Sequence, residues 1–502
     1  MKHYDLIVVG GGISGLTVAL LSARQGKSVL LLEKAPRLGG AIARFRRNGI
    51  PFDVGFHFTG GFREDGHGIL DDMLTVIGIR DRITPLFLPR ERCHRIVFPS
   101  VGEVHEIPSG IERYCEKLKR DFSKDAAGID AYFKRFLHVV DQTAAMRLDR
   151  FGKPPVPLEE DYVTLQEVLD DRIRNKVLQA LLCGFCMCYG TRPADISFAN
   201  HCRMAYGLQE PTARVENGGD AFVWAFQEAF RELDVEVRCR TTIAELADIR
   251  NREVRRFELS DSDAVTADTC VFTIHPLEIL KVLPKDKLTP AFQHRVETLE
   301  PSFGFFSIFG ELPEDTPDNP TDSSIFSIFP DTDLNRVLTP DWEGEQPLVM
   351  MFGHERENGK TFKTMTAFEV SFFEEVEKWQ DTRVGQRGEA YAEYKHRRAG
   401  RIRERLVEHF PAFLHNLALL DAASMLTFRD HLNTPYGAAY GIKQKVGQIN
   451  LRGKLPLPNL YAAGQSSLLP GIVGAMTSAF FVCRSIFGKE PFQKFIEGRL
   501  CH

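Results

Sequence analysis

The chain has 502 residues, 43% of them hydrophobic, and a formal net charge of −5. That length is too great for one ordinary core and points to two or three domains. A slightly acidic balance with no basic run excludes a nucleic-acid groove as the working surface, while 38 Phe residues suit both a core and a pocket for a large apolar ligand.

The first residues do not read as a secretory leader. Lys2 and His3 precede an apolar run, but Asp5 and several glycines interrupt it, and no cleavage pattern follows. Arg24 and Lys27 break it before it is long enough to span a bilayer. Instead, Tyr4–Val9 predicts a buried strand, Leu16, Ala19, Leu20 and Ala23 mark one helix face, and Ser28–Leu32 predicts a second buried strand. Between the first strand and the helix lies Gly10-x-Gly12-x-x-Gly15, with Ile13 and Ser14 inside it. This is the order of a dinucleotide site. Gly10 permits the tight turn, Gly12 lets the backbone approach a diphosphate, and Gly15 lets helix and strand pack closely. Free amides and the helix dipole then attract the anion. Glu33, followed by Lys34, ends the second strand and can accept hydrogen bonds from a ribose.

After the acid comes "KAPRLGGAIARF", with Gly39, Gly40 and Ala41. An NAD site has no need of this second glycine pair. A flavoprotein does, because its chain turns back past the diphosphate toward the flavin; Arg37 is a candidate neighbour of the phosphates. FAD is therefore the expected cofactor. No second GxGxxG occurs, which argues against a separate NAD(P) domain and leaves the electron donor or acceptor open.

Residues 110–150 and 160–205 read mostly as helix. Among them "CGFCMC" places Cys183, Cys186 and Cys188 close together, with His201 and Cys202 downstream. A zinc or redox site is conceivable. The surroundings are apolar, no second CxxC exists, and free Cys is commonly a core residue, so packing is the expected role and no metal is expected. The ten cysteines are expected as reduced thiols of a cytoplasmic protein. "SFGFFSIFGELP" and "PLVMMFGHE" predict strands, "DTPDNPTDSS" a loop, and "EAYAEYKHRRAGRIRERLVEHF" a charged, solvated helix. Near the end, Leu460–Ala463 predicts a short strand stopped by Gly464, with Gln465 after it; Gly471, Ile472, Val473 and Gly474 open a last helix aimed at the flavin. Ala131–Val140 and the tail after that helix mix Phe with Lys and Arg. Ordinary packing is the first reading of both, and peripheral contact with the inner face of a membrane is the other.

These motifs, together with "GIPFDVGFHFTGG", "VENGGDAFVWAFQEAF", "YGTRPADISFA", "ADTCVFTIHP" and "NTPYGAAYGIKQ", resemble the phytoene desaturase, carotenoid isomerase and retinol saturase group of FAD enzymes, within the amine-oxidase-like superfamily. The resemblance covers most of the chain. It implies an α/β protein: a discontinuous Rossmann-type FAD-binding domain (1–75, 210–285, 425–502) with an inserted α+β substrate domain (76–209, 286–424). It also implies that Ile243 in "VEVRCRTTIAEL" touches adenine and that "DVGFHFTGG" passes the flavin, which makes His57 the acid–base candidate. Asp53 is expected to fix that loop. Two departures stand out. Many relatives have Gly-Asp where this chain has Gly464-Gln465, and many amine oxidases have Arg where this chain has Ala41. The expected activity is desaturation, saturation or isomerisation of a long apolar polyene or isoprenoid lipid by hydride exchange with the flavin. A flavin amine oxidase of the same fold and a non-catalytic prenyl-lipid escort are the alternatives.

Overall fold

The computed structural model describes residues 1–153, 156–317 and 324–500. Most of the loop expected at 315–324 lies outside them.

The apolar runs at the two ends of the first βαβ unit become strands His3–Val9 and Val29–Glu33, joined by the helix Ile13–Arg24. They pair in parallel. The sheet grows from distant parts of the chain: Ala264–Phe272 lies parallel to the first strand, Glu236–Cys239 parallel to the second, and Leu460–Ala462 parallel to Ala264–Phe272. Strands Ile243–Arg250 and Glu253–Leu259 extend it antiparallel at the edge. Near-continuous apolar sequence is what a strand buried on both faces needs. Leu16, Leu20 and Phe222 pack one face with Ala479 and Phe480 of the last long helix; Ile7, Leu30, Phe257 and Leu460 pack the other.

The second sheet draws on other segments. Its order is Ala418–Ala423, Gly304–Leu312, Lys360–Ser371, Leu348–Glu357, Ile325–Ile328, His94–Phe98, Glu103–Ile107. Here side chains sort by period two. Phe306, Ile308, Phe326, Ile328, Leu348 and Met350 point one way, onto Ala399, Ile402 and Leu406 of the helix Glu389–His409. Phe305, Ile325, Val349, Met351 and Val370 point the other way, toward the helices of residues 111–209.

The helix Glu389–His409 departs from expectation. Its outer face is charged, but Arg398 is 4% exposed and donates to Glu369 (2.8 Å), Ser371 (3.1 Å) and the Val370 carbonyl (2.9 Å), and it also pairs with Glu375. Arg405 reaches the other Glu369 oxygen at 2.7 Å. Glu369, flanked by both guanidiniums, ties helix to sheet.

In Ala126–Gln142, Tyr132, Phe133, Phe136 and Val139 are buried in the second core, and in the tail Phe480, Phe492 and Ile496 are buried in the first. Cys183, Cys186 and Cys202 are core residues, and both nitrogens of His201 are taken by phenols, Tyr132 at 2.8 Å and Tyr189 at 2.6 Å. Among the described residues no helix is long and apolar enough to cross a membrane.

Candidate active site

A cavity of about 1710 Å³ runs between the two sheets. That exceeds the space one drug-sized ligand takes. Gly10, Gly12, Ile13, Ser14, Glu33, Lys34, Gly39, Gly40, Ala41, Ile243, Gly464, Gln465, Gly471, Ile472, Val473 and His57 all line it. Of the residues expected to hold the cofactor, Gly15 and Arg37 are not on its wall. Gly15 lies behind it, in the contact between helix and strand; Arg37 is exposed to solvent.

The glycine turn is built as its spacing requires. Gly10 has φ +109°. The helix that follows starts at Gly12 with no side chain capping its first turn, so its amides face the cavity. The Gly39 N–H donates to the Gly11 carbonyl at 2.8 Å, which folds the second glycine pair back on the first. Glu33 is held by two backbone amides, Gly11 on one oxygen and Ala35 on the other, each at 2.6 Å. Each oxygen keeps a free lone pair. Gly464 has φ +117°, and its N–H donates to Ser478 at 3.0 Å, which joins the strand end to the last long helix. That helix also begins with no side-chain cap, at Pro470.

Three buried polar atoms of cavity-lining residues have no partner among the described residues: Ser14 Oγ, His275 Nε2 and Gln444 Nε2. The "ADTCVFTIHP" segment thus supplies a polar atom that no short motif marks. Gly12 completes the cradle, since a Cβ there would meet nothing within 4 Å. Open space before an uncapped helix, orphaned polar atoms and a fixed carboxylate fit a bound dinucleotide.

The segment after Asp53 crosses to the second arm. The Gly55 N–H donates to the Ala41 carbonyl at 3.1 Å, and His57 stacks on Phe368 with ring centroids 5.1 Å apart. Burial, with the Arg214 guanidinium nearby, holds the His57 imidazole down at about 3. His57 is therefore neutral at physiological pH. Behind it, Arg44 is 3% exposed and pairs with Asp53 at 3.2 Å and with Glu355. Asp53 also accepts the Gly219 N–H at 3.3 Å. Burial raises the Asp53 carboxyl to about 6, against the pull of Arg44. The acid thus fastens the loop to the "NGG" segment.

Comparison with known proteins agrees with this geometry. Residues 8–72 match the NAD(P)-binding Rossmann-like domain family. The chain is 26% identical over 534 residues to all-trans-retinol 13,14-reductase of Danio rerio, covering 97% of this chain and 86% of that protein. It is 36% identical over 163 residues to the chloroplastic prolycopene isomerase of Daucus carota, covering 30% of this chain and 24% of the isomerase. An oxidoreductase structure from Methanosarcina mazei superposes with a TM-score of 0.65 at 15% identity, over 96% of this chain and 100% of that one. Its fold is shared. These motifs, this architecture and these relatives support a phytoene desaturase and retinol saturase-like oxidoreductase.

Proposed function

We propose that the protein is an FAD-dependent oxidoreductase acting on carbon–carbon bonds of a long apolar polyene or isoprenoid lipid. The observation that carries this reading is one continuous cavity with two chemically different arms. One arm has the glycine turns, the fixed Glu33 and the orphaned Ser14 and His275 atoms. The other is walled by Phe56, Phe58, Phe185, Phe305, Val349 and Phe368. Relatives that span nearly the whole chain are named as reductases, whereas the isomerase matches less than a third of it; this favours saturation of a double bond.

The backbone amides of Gly12, Ile13 and Ser14 are set to hold the diphosphate, Glu33 the ribose and Ile243 the adenine. Gly39–Ala41, Gly464, Gln465 and Gly471–Val473 line the route to the flavin. When bound, FAD supplies two-electron exchange with a carbon of the substrate. The chain's own residues exclude water and orient the polyene against the apolar wall of the second arm. A neutral His57 supplies an aromatic face, one N–H donor and one acceptor nitrogen rather than a standing positive charge. His57→Phe is expected to keep FAD and to leave the pH–rate profile between pH 6 and 8 unchanged in shape. Loss in the variant of a limb near 6.5 would instead show that His57 titrates during turnover.

The direct test is incubation of purified protein with candidate polyenes, with and without a reductant, followed by mass analysis. Gain of two hydrogens under reducing conditions is expected. Loss of two hydrogens or unchanged mass with altered retention identifies the other directions. A preparation that is colourless and takes up no added FAD overturns the reading.

A further inference from the structure

We propose that the end of the substrate arm beside His94 is a neutral polar seat for an oxygen-bearing terminus, selecting a hydroxyl or carbonyl group and rejecting a carboxylate. The proposal rests on the polyene reading above and adds a substrate feature to it.

The second sheet makes the seat visible. Ser307, Phe368, Val349 and Ser327 lie in one row across four adjacent strands, each the register partner of the next, and all line the cavity. The next strand carries His94, opposite Ile325. His94 Nε2 and Ser327 Oγ are 2.7 Å apart. From Phe368, on which His57 stacks, to the His94 strand is three strand steps, or about 14 Å. Past the apolar pair Phe368 and Val349 the wall therefore ends in a hydrogen-bonding pair well away from His57.

Next to this pair is a recess of about 10 Å³, which shares Phe58, His94, Phe185, Leu208 and Ile325 with the main cavity. It holds Gln209 and Ser109, each 3% exposed. Neither side-chain amide atom of Gln209, nor Ser109 Oγ, has a hydrogen-bond partner among the described residues. Burying a primary amide with both ends unmatched is costly, so such a group marks a place where something polar sits. The recess is roughly the size of one water or one hydroxyl. It presents donors and acceptors: the Gln209 amide, the Ser109 hydroxyl, and His94, which burial keeps neutral at about 3. No Lys, Arg, Asp or Glu lines it. A carboxylate placed there would be a buried charge without a counter-ion.

The probes are all-trans-retinol, the hydrocarbon of the same chain lacking the hydroxyl, and all-trans-retinoic acid, bound to the full chain with its cofactor and read by fluorescence quenching. The alcohol is expected to bind at least about tenfold more tightly than the hydrocarbon, and the acid more weakly than the alcohol. In Gln209→Leu the alcohol is expected to fall to about the affinity of the hydrocarbon, whose own affinity stays unchanged. Ser327→Ala should narrow the same ratio, and it serves if Gln209→Leu does not fold. Equal binding of alcohol and hydrocarbon by the unmutated protein overturns the seat while leaving the polyene reading intact, as does equal weakening of all three probes in the variants. Binding of none of the three overturns both.

Discussion

Gly12→Val is expected to abolish FAD binding while leaving the stability of the unliganded protein within about 0.5 kcal/mol, and Gly15→Ala is expected to damage the fold itself. The two glycines are three residues apart in one motif, yet their surroundings are opposite. An added Cβ at Gly15 would sit 1.8 Å from the Gly10 carbonyl oxygen and 2.8 Å from Thr273 Oγ1. Relief requires the first helix to move off the first strand, at a cost of about 3 kcal/mol or more. At Gly12 the backbone is extended, with φ −77° and ψ 176°, and a Cβ meets nothing within 4 Å. A valine there is unstrained, but its methyls fill the space in front of the first amides of the helix. The expected loss of FAD affinity is about 100-fold or more, two hydrogen-bonded phosphate contacts being at stake. Thermal unfolding and the flavin absorbance of the purified variants separate the two effects. A Gly12→Val protein that purifies with its full complement of FAD sinks this assignment of the turn.

Acid is expected to unfold the protein near pH 4 to 5. His57, His94 and His201 are held at about 3 and His275 at about 4, each because burial disfavours the charged ring. Unfolded, each returns to an ordinary value near 6.5. The unfolded state therefore takes up protons first, and stability that is complete above pH 6.5 is lost as pH falls toward the folded values. Each ring contributes about 1.4 kcal/mol per pH unit in that window. Asp53, raised to about 6, works in the opposite sense between about pH 4 and 6 and offsets one of the four. Three net protons give about 4 kcal/mol per unit, enough to exhaust a stability of about 10 kcal/mol within roughly two and a half units below pH 6.5. Circular dichroism against pH measures the transition. His201→Gln, which can keep hydrogen bonds to both Tyr132 and Tyr189, is expected to reduce the slope by one ring's share. A fold intact at pH 3 would contradict the buried, neutral state of these histidines.

Local pattern is enough to read the first arm of the cavity from the amino-acid order. The turn at Gly10–Gly15, the fixed Glu33 and the pair at Gly39–Gly40 follow one another within a short stretch, and the strand and helix ends fall within one or two residues of their expected places. The second arm is written in long-range contacts. His94, Ser109, Gln209 and Ser327 come from four separated segments, and only the register of the second sheet and the end of the Phe198–Gln209 helix bring them near each other. The charged helix at 389–409 misleads for the same reason. Its arginines look solvated until Glu369, on a strand some thirty residues upstream, is seen to bind two of them. The neutrality of His57 is likewise set first by burial among distant segments and then by Arg214, which is far away in sequence.

The double clamp of Arg398 and Arg405 on Glu369 has a consequence for how such a pocket adapts. It braces the back of the sheet, so the floor beneath the polyene is stiff and cannot bow to admit a bulkier chain. Any give must come from the helical roof, where the turn carrying Phe185, Met187 and Cys188 meets the cavity. Retuning this enzyme to a longer or shorter lipid is thus a matter of remodelling that ceiling while the floor is left alone.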